Sequence, residues 1–372
     1  MSPLNSRKPH YQTPEYLVTG AAGFLGTQMA QYLLEQGKRV RATDILEPRW
    51  VDAVKHRFSE NDFQFIKADL TNEESLDAAV NGVDYVQHFA ALFRHDAKEN
   101  LLMEINARGT ENLLAACVRH DIKAFVHIGS MSVYGHEQSA EEGELFAITE
   151  QKQPNPADPY ARSKQESREI AAYFNNANNM LVAIVDPAGI FGPGSFYGNA
   201  ELIDMLLKGA MLLPDGGKHK ASMVHSRDVI GICDFLMENM KSENYLEKNE
   251  KARSKDPQDI SYLASDTTPL TGKELLEMIW QEIPEELQKP TLKSITQKIP
   301  LQKWLVQPIA KISKKHQMMY GFGDHSASPE KILNLGYELE FPQTEQTVKD
   351  VMDWHKKEGL IAKRMKKNKL KK

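Results

Sequence analysis

The run Val18-Thr19-Gly20-Ala21-Ala22-Gly23-Phe24-Leu25-Gly26 sets three glycines where an apolar strand over 16–18 has to turn sharply into a helix. Gly20 permits the tight turn, and Gly23 puts no Cβ between the backbone and a bound pyrophosphate. Gly26 lets the new helix pack on the strand, with the helix amides facing the anion. The neighbourhood supports that reading. Leu25, Met29 and Leu33 make an i, i+4, i+8 stripe, Gly37 stops the helix, and 40–43 reads as the next strand. Asp44 closes that strand, 18 residues after Gly26, where a carboxylate accepts from an adenosine ribose and repels a 2′-phosphate. The expected cofactor is therefore NAD rather than NADP, held by Gly20, Gly23, Phe24, Leu25, Gly26 and Asp44.

Strand candidates at 63–66, 83–89, 124–130 and 181–186 are continuous apolar runs, separated by helical stretches such as 74–80 and 106–118. This alternation predicts an α/β fold, a Rossmann-type doubly wound parallel sheet covered by helices on both faces. After Asp186 it breaks into a passage marked by Pro187, Gly189, Gly192, Pro193, Gly194 and Gly198, expected to leave the sheet for a smaller C-terminal substrate-binding lobe. Runs at 222–229 and 260–264 are expected to return as edge strands, followed by an amphipathic helix over 270–279. The expected domains are a flexible tail over 1–14, an NAD-binding part over 15–186 plus about 222–265, a lobe over 187–221 plus about 266–360, and a basic tail over 361–372. Ten of the twenty residues over 241–260 are charged, which reads as a solvated connector.

With 41% hydrophobic and 26% charged residues and no long apolar run, the chain reads as an ordinary soluble protein without a bilayer span. A net charge of -5 argues against nucleic acid as a partner. Cys117 and Cys233 are the only cysteines and no leader pattern opens the chain, so a reducing cytoplasm is expected rather than secretion; no metal site is expected. Leu301, Trp304, Leu305, Ile309 and Ile312 alternate with lysines, and seven Lys or Arg follow from Lys363 onward. Both segments have the make-up of a surface that touches anionic membrane. A core-facing or lid helix and a solvated tail are the favoured readings, since the overall charge is negative and no lipidation motif is present.

Tyr160-Ala161-Arg162-Ser163-Lys164 opens a helical stretch after a proline-rich loop, and its i, i+4 spacing puts a phenol and an ammonium on one helix face. A free phenol is a poor base at neutral pH. Lowering its pKa by roughly three units needs about 4 kcal/mol of differential stabilisation of the phenolate, which a neighbouring lysine and a positive nicotinamide ring can supply. Ser130 ends the strand over 124–130, at the side of a parallel sheet where ligands bind, so that its hydroxyl can polarise the oxygen that Tyr160 protonates or deprotonates.

These motifs together resemble the extended short-chain dehydrogenase/reductases, also described as the NAD-dependent epimerase/dehydratase family. The resemblance runs from about Glu15 to Leu360. It rests on the glycine loop, Asp69-Leu70, His88-Phe89-Ala90-Ala91, the stretches 106–114 and 130–135, Tyr160 with Lys164, and the stretches 187–194 and 224–229, all in order. It implies Tyr160 as general acid/base, Lys164 as the group that lowers its pKa and as a ribose ligand, and Ser130 as partner of the substrate hydroxyl. Asp69 and Leu70 would bracket the adenine, Ala90, Ala91 and Pro187 would line the cofactor, and Ser132 and Gly189 would face the substrate. Asn106 would brace the active-site end of its helix, or serve as a plain helix cap.

Departures from the family's pattern bear on the substrate. Members that dehydrate nucleotide sugars usually follow the serine or threonine with Asp-Glu, where this chain has Met131-Ser132. Nucleotide-sugar epimerases commonly carry Arg-Asp where Ala221-Ser222 stand, and an asparagine in place of Gly189; Lys220 is the substitute cation at hand. Asp186 replaces an arginine that often precedes the proline. The later chain resembles the 3β-hydroxysteroid dehydrogenase branch, which handles apolar alcohols. The expected function is NAD(H)-dependent hydride transfer at a secondary alcohol or ketone, hydrophobic and sterol-like in the favoured version. The alternatives are a nucleotide-sugar 4-epimerase with retained NAD and a non-catalytic NAD-sensing protein. A homodimer is expected, paired through helices over 100–118 and 159–174.

Overall fold

Tyr16–Thr19 (β1) is buried along its whole length, with Tyr16 and Val18 in the core on one face of a sheet and Leu17 in the core on the other. A strand with no solvent side needs cover on both. The structure, a computed structural model, describes residues 15–48, 50–94, 97–135, 145–195, 202–203, 206, 215–285 and 323–361. The segment expected as a tail over 1–14, the stretch over 299–312 and Gly198 lie outside the described residues, as does the tail expected over 361–372 except for Ile361, which is buried.

From β1 the chain passes through the glycine turn to α1 (Phe24–Glu35), β2 (Val40–Asp44), α2 (Trp50–Lys55), β3 (Phe63–Lys67), α3 (Glu73–Val80) and β4 (Tyr85–His88). One long helix follows, in which α4 (Glu99–Leu102) runs through a π-turn (Met103–Arg108) into α5 (Gly109–Arg119), and then come β5 (Ala124–Ile128), α6 (Pro159–Phe174) and β6 (Leu181–Pro187). The rest comprises β7 (Gly189–Phe191), β8 (Lys220–Ala221), β9 (Met223–His225), α7 (Ser226–Lys241), α8 (Tyr245–Lys248), α9 (Pro257–Ile260), β10 (Ser261–Ala264), β11 (Leu270–Thr271), α10 (Gly272–Gln281), α11 (Glu330–Asn334) and α12 (Thr344–Lys357).

The main sheet has seven strands, parallel throughout, in the order β3-β2-β1-β4-β5-β6-β10. The winding reverses between β1 and β4, and the crevice at the carboxyl ends of those two strands is where such a sheet takes a ligand. One face is packed by Met29, Leu33 and Leu236 from α1 and α7, the other by Leu76, Leu113 and Ala171 from α3, α5 and α6. A third cluster joins Phe191, Met223, Leu275, Ile279, Val348 and Met352 away from the sheet.

Several expectations change. The run over 222–229 does not rejoin the main sheet, because β9 pairs with β7 in a separate parallel ribbon and α7 begins at Ser226, with the His225 ring accepting from Arg227 N at 3.1 Å. The apolar run was a three-residue strand joined directly to an amphipathic helix. The run over 260–264 does return, as edge strand β10. The connector over 241–260 is tied down rather than merely solvated: Tyr245 and Ala252 are buried, and Asn175 Nδ2 donates to the carbonyls of Ala252 (2.9 Å) and Ser254 (2.7 Å). The outer side of β10 is also closed by side chains. Glu150 Oε1 accepts from Leu263 N at 2.8 Å, and Lys331 Nζ donates to the carbonyls of Gln258, Asp259 and Ser261.

Candidate active site

The glycine turn is specified by the absence of side chains. Gly20 has φ +69°, and a Cβ there would lie 2.7 Å from Ala90 N; a Cβ on Gly26 would lie 2.1 Å from the Gly20 carbonyl oxygen. Gly23 precedes α1 without any side-chain cap, so the first-turn amides face the crevice, and its own N–H closes the turn onto Gly20 O at 2.9 Å. Phe24 starts α1 and its ring lies under the backbone of Gly192 and Gly194; Leu25 packs against the core. The turn is braced by Trp50 Nε1 and Thr27 Oγ1, which both donate to Ala21 O (2.8 and 2.9 Å). Asp44 reaches across from β2, and its Oδ2 accepts from Ala22 N at 2.9 Å. These features fit a dinucleotide: backbone amides at a helix start, no room for a Cβ, and a carboxylate beside them.

Asp69 is exposed and its Oδ1 accepts from the Thr71 amide and hydroxyl (2.9 and 2.8 Å), which shapes the turn into α3. Leu70 is buried against Gly109, where a Cβ would come within 2.7 Å of the Leu70 Cβ. Gly109 was not anticipated from sequence. Its signal is a glycine at the start of a helix that packs on a motif residue.

Ala90 and Ala91 follow β4, and the backbone there is fixed by a chain of hydrogen bonds. Ala90 N donates to Thr19 Oγ1 (3.1 Å), so the Thr19 hydroxyl donates onward to His88 Nδ1 (2.7 Å). On the other side Thr110 Oγ1 donates to Asn106 O (2.7 Å) and therefore accepts from His88 Nε2–H (3.1 Å). The network assigns one tautomer to His88. Burial, with Lys164 nearby, pushes its pKa down to about 3, so the ring stays neutral.

Asn106 lies inside the π-turn, which excludes the helix-cap reading. Its Oδ1 accepts from Leu92 N (2.7 Å), while its Nδ2 donates to Leu92 O (3.2 Å) and to Ser163 Oγ (3.0 Å). One amide thus ties the loop after β4 to the helix that carries Tyr160. The extra residue of a π-turn turns this side chain inward, a local event that helical periodicity does not display.

Asp158 caps α6, accepting from Ala161 N at 2.8 Å, and Pro159 fills the first helical position. Tyr160 is thereby held at the mouth of the helix, 8% exposed, with Lys164 buried one turn on. Strand β5 ends at Ile128 rather than at Ser130; Gly129 follows, and Ser130 heads a short turn over Met131–Tyr134. The Ser130 hydroxyl lies 2.9 Å from Ser132 Oγ, accepts from Ser132 N at 3.2 Å and is close enough to the Tyr160 phenol to favour its ionised form. Phe93, also unanticipated, packs edge-on against Tyr160 with ring centroids 5.1 Å apart. Pro187 ends β6, and Gly189 lies in β7 opposite Met223. Lys220 sits in β8, which pairs with β11 rather than with a strand of the crevice.

The electrostatics differ from the expected lysine-lowered phenol. Burial pushes the Tyr160 pKa well above the ordinary phenol range, opposed by the Ser130 hydroxyl. The Lys164 amine donates to Ile128 O at 2.6 Å, and burial, countered by Asp186, pushes its pKa down to about 8. As placed, the amine serves the end of β5, and the phenol keeps its proton.

A model of the NAD dependent epimerase/dehydratase family matches residues 16–246. The chain belongs to that family of NAD-dependent enzymes. It is 30% identical over 210 residues to a 3 beta-hydroxysteroid dehydrogenase/Delta 5-->4-isomerase of Mycobacterium tuberculosis (strain ATCC 25618 / H37Rv), a match covering 54% of this chain and 54% of that protein. The match thus spans about half of that relative's length. Among solved structures, a dTDP-glucose 4,6-dehydratase double mutant from Streptomyces venezuelae, with NAD and DAU bound, aligns with TM-score 0.68 at 21% identity over 92% of this chain and 97% of that one. The UDP-glucose 4-epimerase of Thermotoga maritima, solved with UDP-glucose, aligns with TM-score 0.65 at 20% identity over 92% and 99%. These likenesses bear out the doubly wound sheet.

Proposed function

We propose that this protein is an NAD(H)-dependent oxidoreductase acting on a secondary alcohol or ketone of apolar character. The feature that carries the reading is the Ser130 hydroxyl acting on the Tyr160 phenol at the crevice, with two carboxylates near it among the described residues already engaged: Asp158 caps α6 and Asp186 is paired with Arg168. Dehydration needs an acid and a base to move protons on carbon, and Met131 and Ser132 supply neither. Phe93, 45% exposed beside Tyr160, offers an apolar wall, and Ala221-Ser222 lack the guanidinium that would clamp a pyrophosphate.

When bound, NAD supplies the acceptor for the hydride that leaves the carbinol carbon, and NADH the donor in reverse. Ser130 orients the substrate oxygen. The buried phenol holds the proton that the ketone oxygen takes up in reduction; as a base in the reverse direction, Tyr160 first needs the Lys164 ammonium turned toward it. Lys164 protonates below about pH 8, so that help is available at neutral pH.

The test is a panel of sterol-like ketones with NADH, and the matching alcohols with NAD, followed by NADH absorbance. Turnover is expected, and Tyr160→Phe should lower kcat/KM about 10³-fold. Unchanged turnover in that variant would remove Tyr160 from the chemistry. Conversion of a nucleotide sugar without net NADH change, with cofactor retained in native mass spectrometry, would instead establish the 4-epimerase. Tight NAD binding with inactivity on both classes would establish a sensor.

We further infer a cytoplasmic homodimer. Its support is the pair of buried, unbridged cysteines and the exposed Leu101 and Tyr173 on the two helices proposed to pair. A monomer in sedimentation velocity rejects the dimer.

A further inference from the structure

Beneath the reacting pair lies an ion pair that no expectation covered. Asp186, on β6, and Arg168, on α6 one turn beyond Lys164, are both 0% exposed, with Arg168 Nε 3.1 Å from Asp186 Oδ2. Each is held from several sides. Arg168 Nε donates to Ser261 Oγ (3.0 Å) and Nη2 to the Tyr134 hydroxyl (3.3 Å), while Asp186 Oδ2 meets the guanidinium as an ion pair without a hydrogen bond. The other oxygen, Asp186 Oδ1, accepts from Ser130 N at 3.0 Å. Gly129 allows this contact, since a Cβ at that position would fall 1.8 Å from Asp186 Oδ1. The end of β5 is pressed directly onto the carboxylate.

Resting on the reading of Ser130 and Tyr160 as the reacting pair, we propose that Asp186 is a positioning residue: its carboxylate anchors the Ser130 amide, and so aims the hydroxyl at Tyr160, while Arg168 keeps the buried carboxylate in place. A buried ion pair is poor evidence of stabilisation, because desolvation of the two ions offsets their attraction. Retaining one here has a use if the carboxylate does something an apolar pair cannot. Accepting the Ser130 N–H is such a task. The charged groups that act on Asp186 are Arg168 and Lys164 from α6, and the buried Glu150 carboxyl is coupled to it as well. The Ser130 hydroxyl lowers the Tyr160 pKa against the effect of burial, so a hydroxyl no longer aimed at the phenol lets that pKa rise.

The test compares two double variants that both delete the ion pair. Arg168→Met with Asp186→Asn keeps an acceptor for Ser130 N, whereas Arg168→Met with Asp186→Leu removes it. With ¹⁵N labelling, the Ser130 amide proton is expected downfield in the wild type and in the Asn double, and shifted upfield in the Leu double. Titration of ¹³Cζ-tyrosine should show the Tyr160 phenol losing its proton at higher pH in the Leu double. In turnover with a ketone of the panel, kcat of the Leu double should fall about 10²-fold below the Asn double with KM little changed, the size of effect a misplaced catalytic group produces. Equal Ser130 shifts, phenol titrations and kcat in the two doubles would overturn the proposal and leave Asp186 a purely structural ion. Should the Leu double not fold, amide exchange in the wild type decides: slow exchange of Ser130 N–H supports the anchor and rapid exchange overturns it. The NMR readouts need no substrate, so a wild type inactive on every ketone would refute the oxidoreductase reading without touching this one.

Discussion

Around Gly20 and Gly26 the geometry comes from atoms that are missing, and the ligands on offer are backbone amides with a half-exposed carboxylate beside them. Around Ser130 and Tyr160 it comes from charges and polar rings taken out of water: Lys164, Arg168, Asp186, His88 and His127 are all buried. The first region is specified by shape and carries no buried titratable group in its turn. The second is specified by electrostatics, and its pieces hold only while each charge has its partner. The two halves of one site should therefore fail in different ways, the cradle by steric insertion and the reacting corner by loss of a counter-charge or a change of pH.

The comparison breaks most visibly at Arg168→Met, which strands the Asp186 carboxylate. Urea denaturation should register a loss of about 3–5 kcal/mol at pH 7, while NADH affinity, set at the cradle, changes little in the fraction that remains folded. Acid probes the same corner without mutation. The His88 pKa is lowered by folding, from 6.5 to about 3, so its contribution is present above pH 6.5 and is lost as pH falls toward 3. Lowering the pH from 7 to 4.5 should remove roughly 3 kcal/mol through this ring, and its C2–H resonance should show no titration above pH 4. At the cradle, Gly26→Ala puts a methyl against the Gly20 carbonyl. A loss of about 2 kcal/mol in NADH binding is expected by fluorescence titration, with a pH profile parallel to wild type. The smallest effect belongs to Phe93→Ala, which should raise KM for an apolar ketone about fivefold, roughly 1 kcal/mol, and leave NADH binding alone. If Gly26→Ala acquired a pH dependence, or Arg168→Met weakened NADH as much as Gly26→Ala, the contrast between the regions would be lost.

The cradle was legible in the sequence because its cause is local: three glycines, the strand before them and Asp44 lie within 29 residues, 16 to 44, and each acts through its own backbone. The Tyr160–Lys164 spacing was legible for the same reason, as was the parallel sheet, whose strands are apolar without alternation. What could not be read depended on elements meeting. The turning inward of Asn106 comes from a π-turn, which leaves the residue sequence looking like plain helix. Asp186 appeared only as a departure from the family's arginine, since its partner Arg168 lies on the preceding helix and the contact is made by packing. Lys164 was assigned to the phenol by helix geometry, yet the nearest acceptor proved to be the Ile128 carbonyl, which belongs to a strand that periodicity ran two residues too far. The run over 222–229 misled because three strand residues and the start of an amphipathic helix share one apolar composition.

The closing of β10 by Glu150 and Lys331 limits how copies of this chain can associate. An uncovered parallel edge invites another molecule to continue the hydrogen-bond ladder, and here the amide of Leu263 and the carbonyl of Ser261 already have side-chain partners. Growth of the sheet from that border into a fibre-like stack is blocked by two residues from distant parts of the chain. Replacing Glu150 or Lys331 would expose a template for aggregation at the sheet edge, four strands away from β1 and the nucleotide cradle.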